Sequence, residues 1–200
     1  MHLAPIARAL TLVAFLSLGA CASVAPRPLP ISSYTPPAAA RMFPGNFSIR
    51  NEAGALPRRS ATVVSAEVSE LYEPRFADVI ATSLEGYLAS RLNGQGSTNV
   101  RATVQAAGVT VERGGVDVLP VVGAVAASLR NRTFVASGSV LFEVERGGRV
   151  EQSYTLQHTT RVVGGLATDQ ARAASTAAAI EQWRNEAFAK ADADFLARYL

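Results

Sequence analysis

Two long stretches of alternating apolar and polar residues, joined by an Arg-Gly-Gly-Arg sequence, constrain the fold of this chain most. In residues 133–145, one face of the predicted strand carries Phe134, Ala136, Gly138, Val140, Phe142 and Val144. In residues 150–162, one face carries Tyr154, Leu156, His158, Thr160 and Val162. Strict alternation predicts strands with one buried face, and a short glycine-containing connection predicts an antiparallel hairpin. The chain therefore needs a partner layer to cover one side of a sheet.

The length of the hairpin loop follows from the residues that each alternative would pair. A two-residue Gly-Gly loop would pair Phe142 with Ser153, which sets an apolar side chain opposite a polar one. A three-residue loop over 146–148 pairs Val144 with Val150 instead, and its last residue is a glycine suited to a left-handed conformation. We therefore predict the three-residue loop.

Two amphipathic segments predict the helices that cover the sheet. The first follows Pro74, ends before Gly94, and has apolar residues at three- and four-residue steps: Phe76, Val79, Ile80, Leu84, Tyr87, Leu88 and Leu92. The second spans residues 169–200 and contains neither Gly nor Pro. Its stripe consists of Ile180, Trp183, Ala187, Ala191, Phe195 and Tyr199. We expect Asp169 or Ser175 to cap its start.

The remaining elements complete an α+β fold. Residues 61–69 and 99–106 alternate as strands do, and residues 47–49 fit a further short strand. A one-residue change of apolar phase beside Gly108 predicts a β-bulge. The order strand, helix, strand, strand, strand, helix predicts a two-layer sandwich, with a mixed sheet of about four strands and both helices on one face.

The first 20 residues are typical of an export signal. Arg8 supplies a positive charge, residues 9–18 form an apolar run, and two small residues follow before the only cysteine of the chain, Cys21. The apolar run is too short to span a bilayer, which requires about 20 apolar residues. Two interpretations remain: a lipoprotein signal, or an ordinary signal peptide followed by an incidental cysteine.

The sequence Leu18-Gly19-Ala20-Cys21 resembles the bacterial lipobox, in which the cysteine is acylated with fatty acids such as palmitate and becomes the new N-terminus. The resemblance implies lipidation at Cys21 and a membrane anchor without a transmembrane helix. No Asp follows the cysteine, which by the same resemblance implies the outer membrane of a Gram-negative bacterium, facing the periplasm.

Proline dominates the stretch after the cysteine. Residues 25–37 contain five prolines, which favour extended and unpaired backbone. We interpret this stretch as a spacer between the membrane and the folded part. The predicted organisation is a signal peptide over residues 1–20, a lipidated cysteine and tether over 21–60, and an α+β domain over 61–200.

The layout of lipobox, tether and α+β order resembles the small outer-membrane lipoproteins typified by YajG, and its architecture is similar to that of the LPS-assembly lipoprotein LptE. The residues that carry the resemblance are Leu84-Glu85, Arg146-Gly147-Gly148-Arg149 with Tyr154, Gly164-Gly165-Leu166 and Asp194-Phe195-Leu196. The resemblance implies a location and a fold, and no catalytic residue follows from it.

Several classes of function find no support in the composition. One cysteine and two histidines, one of them in the leader, offer no metal-ligand spacing and no nucleophile–histidine pattern. A formal net charge of +3 is too small to indicate nucleic-acid binding. His158 falls on the inward face of its strand, where we expect a structural role. We predict a non-enzymatic protein with no catalytic residue, no metal and no cofactor.

An apolar segment over residues 116–129 lies between two predicted strands, where polar turn residues are usual. It either covers one end of the sheet or is exposed and contacts lipid or a protein partner. The candidate contact residues are Val121, Val122, Val125, Leu129, Arg130 and Arg132. Two arginines beside an apolar run suit a lipid surface.

Two functions are consistent with these patterns. The first is an accessory or docking component in envelope assembly or transport, which is attached to the membrane by its lipid and binds an envelope protein or lipid. The second is a periplasmic binder of small ligands or lipids, with a cavity between helices and sheet. The small residues Ala102, Ala106, Ala136 and Gly138 would leave room for such a cavity, and a packed interior would favour the first function.

Overall fold

The computed structural model describes residues 26–38, 41–54, 66–112 and 131–199. The strands are β1 (Arg27–Pro28), β2 (Asn46–Gly54), β3 (Ala66–Glu67), β4 (Tyr72–Glu73), β5 (Thr98–Glu112), β6 (Arg132–Arg146) and β7 (Arg149–Gly164). The helices are α1 (Phe76–Ala89) and α2 (Asp169–Ala191). A 3-10 turn (Ser69–Leu71) precedes β4, and α2 continues through a π-helical turn (Asp192–Leu196) into a last helical turn, α3 (Ala197–Tyr199).

The main sheet has the order β2-β5-β6-β7, and β3 pairs with β5 beside the path. Strand β2 runs parallel to β5, whereas β3, β6 and β7 pair in antiparallel fashion. Strands β1 and β4 form a separate parallel pair. Helices α1 and α2 pack on the sheet, so the predicted two-layer α+β sandwich with a mixed sheet is confirmed.

The core lies between the sheet and the two helices, as the apolar periodicity predicts. The sheet contributes Val100, Ala102, Val104, Phe134, Ala136, Val140, Phe142, Val144 and Leu156, and all are fully buried. The helix stripes contribute Phe76, Ile80, Leu84, Tyr87, Leu88, Ile180, Trp183, Ala187, Ala191 and Phe195. Burial of one large apolar side chain contributes about 1.5–3 kcal/mol to stability. The apolar contacts between these two layers therefore contribute most of the stability of the fold.

The loop of the β6–β7 hairpin has two residues, and the three-residue prediction is wrong. Arg146 pairs with Arg149, which leaves Gly147 and Gly148 as the turn. Both glycines have positive φ, +57° and +77°. Two left-handed residues in succession give the turn that matches the twist of the flanking strands. The left-handed conformation predicted for Gly148 is confirmed.

A β-bulge resolves the register conflict that led to the wrong loop length. Strand β7 carries one extra residue, Glu151, so that Val144 pairs with Gln152. Past the bulge, Phe142 lies opposite Tyr154. The two rings stack at a centroid distance of 6.4 Å. The apolar pairing is therefore kept by a bulge in the strand rather than by a longer loop.

The phase change in β5 is also a bulge, and it lies earlier than predicted. Val104 pairs with Val140 and Ala106 with Ser139, so Gln105 is the extra residue rather than one beside Gly108. Ala106 is consequently half-buried instead of lying in the core. The residues on either side of the bulge still follow the predicted alternation.

Other boundaries differ from the sequence-based expectations. The predicted strand over 61–69 is a strand only at Ala66–Glu67 among the residues that the structure describes. The short strand expected at 47–49 is a nine-residue edge strand, β2. Thr168, rather than Asp169 or Ser175, caps α2, because its Oγ1 accepts a hydrogen bond from the backbone N–H of Ala171 at 3.0 Å.

Candidate functional site

The interior between sheet and helices is packed. The indole of Trp183 fills the space above Gly138, because a Cβ on that glycine would lie 2.6 Å from Cζ2 of the ring. The ring of Phe76 meets the indole edge to face at 5.3 Å. The small residues that suggested a cavity therefore make room for large helix side chains. The described interior supports a filled core rather than an internal ligand site.

Two open clefts flank α1 on the outside of this core. One, of about 390 Å³, lies between α1 and the edge strand β2 and is lined by Phe47, Ser48, Ile49, Ala81, Thr82 and Glu85. The other, of about 280 Å³, lies beside the 3-10 turn and includes Ser69, Glu70 and Arg75. Both clefts are open to solvent, unlike the enclosed pockets that bury most of the surface of a small ligand.

His158 belongs to a link between β7 and α2. Its Nε2 lies 2.8 Å from Oε2 of Glu186, and its backbone oxygen accepts a hydrogen bond from Nε1 of Trp183 at 2.8 Å. Hydrogen bonds from Gln182 and from His158 lower the pKa of Glu186. The contacts of this histidine serve to hold a helix on a strand, in line with the structural role expected for it.

A network of charged and polar side chains joins α1 to the end of α2. Arg91 donates from Nε and Nη2 to the two carboxylate oxygens of Asp192, at 3.0 and 2.8 Å. The hydroxyl of Tyr87 donates to the same carboxylate at 2.8 Å. Burial, followed by the nearby Asp192 charge, raises the pKa of Tyr87, and the hydrogen bond to Asp192 raises that of Arg91. The Arg91 side chain is only 6% exposed and that of Asp192 is 36% exposed, so the pair is partly shielded from water.

Within the described residues, no group of three or more His, Cys, Asp or Glu side chains could hold a metal ion. None of the described helices is long and apolar enough to cross a membrane.

The Pro-rich stretch lies on the domain over residues 26–38, which differs from the free spacer that the prolines predict. Arg27 and Pro28 form β1 beside β4, and the backbone N–H of Leu29 donates to the carbonyl of Glu73 at 2.7 Å. Leu29 itself is 7% exposed and belongs to the core. The packed structure therefore includes residues that we had assigned to the tether.

Two arginines on the helices bind backbone carbonyls of this stretch. Nη1 of Arg184 donates to the carbonyl of Ser32 at 3.0 Å, and Nη1 of Arg91 donates to that of Pro37 at 2.9 Å. Proline lacks an N–H but keeps its carbonyl, so a Pro-rich strand depends on donors from outside its own backbone. Both arginines are about 5% exposed, so the bonds are largely protected from water.

Residues further along the stretch occupy the groove between α1 and α2. The ring of Tyr34 meets that of Phe188 edge-on at 5.1 Å, and the guanidinium of Arg184 lies 5.0 Å from the Tyr34 ring. Ser32 donates from its backbone N–H and its hydroxyl to Oε1 of Glu181, at 2.7 and 2.6 Å. Although burial raises the pKa of Glu181, these two hydrogen bonds outweigh it and leave the pKa below its ordinary value of 4.5.

The contacts also set the direction of the stretch. Arg27 forms an ion pair with Asp169, at the start of α2. Ser32 contacts Glu181 in the middle of the helix, and Tyr34 contacts Phe188 near its end. Residues 26–38 therefore run alongside α2 in the same direction, and the end closest to Cys21 lies at the N-terminus of α2.

That end of the domain is also where strand β5 ends and strand β6 begins. Glu112, the last residue of β5, pairs with Thr133, and Arg132 pairs with Gly164 at the end of β7. Gly164 lies against the second turn of α2, because a Cβ there would be 2.2 Å from Oγ of Ser175. The end of β5, the start of β6 and the start of residues 26–38 thus lie at one end of the sandwich, which we call the anchor end.

Most of the predicted site residues lie outside the described part of the chain: Cys21, Val121, Val122, Val125, Leu129 and Arg130. Arg132 is described, at the start of β6, and is 8% exposed, so it presents little surface to a partner. The docked residues Leu29, Ser32 and Tyr34 were not predicted. The signal for them was present, since Leu29, Ile31 and Tyr34 are large apolar side chains among the prolines.

No family model matches the chain, and no curated protein matches it. Solved structures that are similar in fold have low sequence identity to this chain. A Xanthomonas campestris protein assigned to the family DUF330 is 11% identical, with a TM-score of 0.42, and the match covers 82% of this chain and 93% of that one.

The second, a candidate lipoprotein from Caulobacter crescentus, is 15% identical, with a TM-score of 0.38 and coverage of 62% of this chain and 82% of that one. The third, an uncharacterized protein, is 12% identical, with a TM-score of 0.38 and coverage of 84% and 98%. Similarity at this level carries no inference about function.

Proposed function

We propose that this chain is a lipoprotein of the Gram-negative outer membrane, anchored through Cys21, that serves as a non-enzymatic docking component in envelope assembly or transport. The observation that carries the proposal is the position of the only cysteine, directly after a short apolar run and two small residues. Several acyl chains on one residue bind a bilayer firmly, at about 0.8 kcal/mol per buried CH₂.

The packing of the domain supports a docking role over a ligand-binding one. Trp183 fills the space above Gly138 between the layers, and the two clefts beside α1 are open. A domain whose interior is filled, as it is among the described residues, meets its partners through its surface. The proposed partners are an envelope protein or lipid, and the proposed contact residues are Val121, Val122, Val125, Leu129, Arg130 and Arg132.

The anchor is tested by metabolic labelling with palmitate in a Gram-negative host. We expect the native chain to incorporate label and to float with membranes on a density gradient, and Cys21→Ser to lose both properties. Release of the native chain as an unlabelled periplasmic protein would overturn the proposal.

The docking role is tested by crosslinking in intact cells. Replacement of Val121, Val122, Val125 and Leu129 with Ser is expected to reduce crosslinking to one reproducible envelope partner, with the unfolding transition of the domain unchanged. Equal crosslinking of the native chain and the variant would show that these side chains are not part of the proposed interface.

A further inference from the structure

The chain between the lipid attachment point, Cys21, and the anchor end is short. The length of this chain determines which part of the domain contacts the membrane. We infer that the domain rests on the phospholipid surface through its anchor end, which carries Arg27, Val163 and Asp169, and that the β6–β7 hairpin points away from the bilayer. The inference rests on the proposed lipid anchor at Cys21 and adds an orientation to it.

The first step is the length of chain between lipid and domain. Five Cα–Cα steps lead from Cys21 to Pro26, where the described structure begins. Fully extended, they reach about 18 Å. If the whole stretch from Cys21 to the start of β2 at Asn46 were free, it would reach about 85 Å and the domain could turn in any direction. The docked stretch removes most of that freedom.

The second step compares this reach with the length of the sandwich. Strand β5 has 15 residues, so the sheet is about 45–50 Å long. Glu112 lies at the anchor end of β5, and Thr98, at the other end, pairs with Arg146 beside the hairpin turn. A chain of about 18 Å cannot hold the domain with its hairpin end down, because the anchor end would then lie about 45–50 Å from the bilayer while residues 26–38 remain docked.

The docked stretch is held strongly enough to set an orientation. Its contacts include the buried side chain of Leu29, two backbone carbonyls bound by arginines, and two hydrogen bonds from Ser32 to Glu181. Its removal would also take the Ser32 carbonyl away from the guanidinium of Arg184, a residue that is 5% exposed while the stretch is docked. The cost of exposing these groups favours the docked form.

The surface of the anchor end is suited to lipid headgroups. Val163 is 70% exposed and Leu71 is 48% exposed, and the arginines Arg27 and Arg161 lie nearby, paired with the exposed carboxylates of Asp169 and Glu112. Apolar side chains beside arginines are typical of surfaces that lie at the membrane interface. Val150 and Met42, at the other end, are also exposed, so the choice between the ends depends on the length of the chain rather than on apolar exposure.

Strand β7 provides a matched pair of positions for the test. Val163 and Val150 are exposed valines near its two ends, separated by about 40 Å. In the lipidated protein the Cys21 sulfur is in a thioether, so Val163→Cys and Val150→Cys each supply one reactive thiol. A fluorophore is attached to each variant, and the protein is bound to vesicles of phosphatidylethanolamine and phosphatidylglycerol that contain nitroxide-headgroup lipid.

We expect the fluorophore at residue 163 to be quenched severalfold more than the fluorophore at residue 150. Equal quenching, or stronger quenching at residue 150, in protein that floats with the vesicles would overturn the orientation and leave the lipid anchor intact. Protein that carries no acyl group and does not float would overturn the proposed function, and the inference with it.

A second variant tests whether docking of residues 26–38 sets the orientation. Tyr34→Ala combined with Ser32→Ala removes the contacts with Phe188 and the hydroxyl bond to Glu181 and leaves the sheet untouched. We expect the quenching at residue 163 to fall towards that at residue 150, with greater protease cleavage within residues 26–38. Retained orientation together with increased cleavage would show that some other contact sets it and would overturn the inference.

Discussion

Gly138 of β6 lies directly beneath the indole of Trp183, so close that any side chain at this position would enter the ring. The contact joins the centre of the sheet to the centre of α2. It therefore makes the glycine a requirement of packing, although the backbone there is an ordinary strand.

Gly138→Ala should destabilise the domain. A Cβ would lie 2.6 Å from Cζ2 of Trp183, and forcing extra atoms into a packed core costs about 1–3 kcal/mol. The measurement is urea unfolding followed by the fluorescence of Trp183, the only tryptophan. The control is Gly86→Ala in α1, where a Cβ meets only Tyr34 at 3.9 Å and should stabilise the helix by about 0.5–1 kcal/mol. Equal effects of the two changes would contradict the packing argument.

Asp192→Asn should weaken the junction between α1 and α2. The change removes the charge that faces the buried Arg91 guanidinium, and we expect a loss of about 2–3 kcal/mol in the free energy of unfolding. Asp194→Asn, on the same π-helical turn, is the matched control. Asp194 pairs with the half-exposed Lys190, so its replacement should lower the free energy of unfolding by a smaller amount. A larger loss of free energy of unfolding for Asp194→Asn than for Asp192→Asn would contradict the conclusion that the pair of Asp192 with Arg91 is the stronger contact.

The contact between Ser32 and Glu181 should depend on pH. Hydrogen bonds from Ser32 leave the folded pKa of Glu181 below its ordinary value of 4.5. The stabilisation is therefore complete above that value and is lost as the pH falls through the folded pKa. NMR titration of the Glu181 carboxyl should show a rise in its pKa in Ser32→Ala. An unchanged pKa would mean that this carboxylate does not hold the N-terminal stretch.

The hairpin turn should tolerate Asn better than Ala at position 147. Gly147 has a φ of +57°, which costs other residues about 1–2 kcal/mol, whereas Asn before Gly is a favoured pair in such turns. We expect Gly147→Asn to leave the melting temperature nearly unchanged and Gly147→Ala to lower it. A lower melting temperature for Gly147→Asn than for Gly147→Ala would exclude this turn geometry.

The elements that face the core were predictable because their apolar spacing leaves one consistent interpretation. The stripe through Ile180 and Trp183, and the alternation through Phe142 and Val144, are buried as expected. The register of the hairpin was not predictable from loop length alone. An extra residue such as Glu151 shifts the pairing without changing the alternation of its neighbours.

The docking of residues 26–38 was missed for a different physical reason. Proline lacks an N–H and disfavours regular backbone pairing, so the stretch resembles a spacer when it is considered alone. Its partners, Arg91 and Arg184, are 54 and 152 residues away along the chain from the carbonyls that they bind, and no local pattern connects them. The sequence therefore indicates the extended conformation of the stretch but not where on the domain it packs.

The course of residues 26–38 along α2 has a mechanical consequence. Because the stretch runs in the same direction as the helix, tension applied at its N-terminal end would slide it along the groove. The bonds of Ser32, Tyr34 and Pro37 would then share the load instead of breaking one after another. A chain held at Cys21 would thus resist detachment of its domain in shear, which is a stronger geometry than peeling.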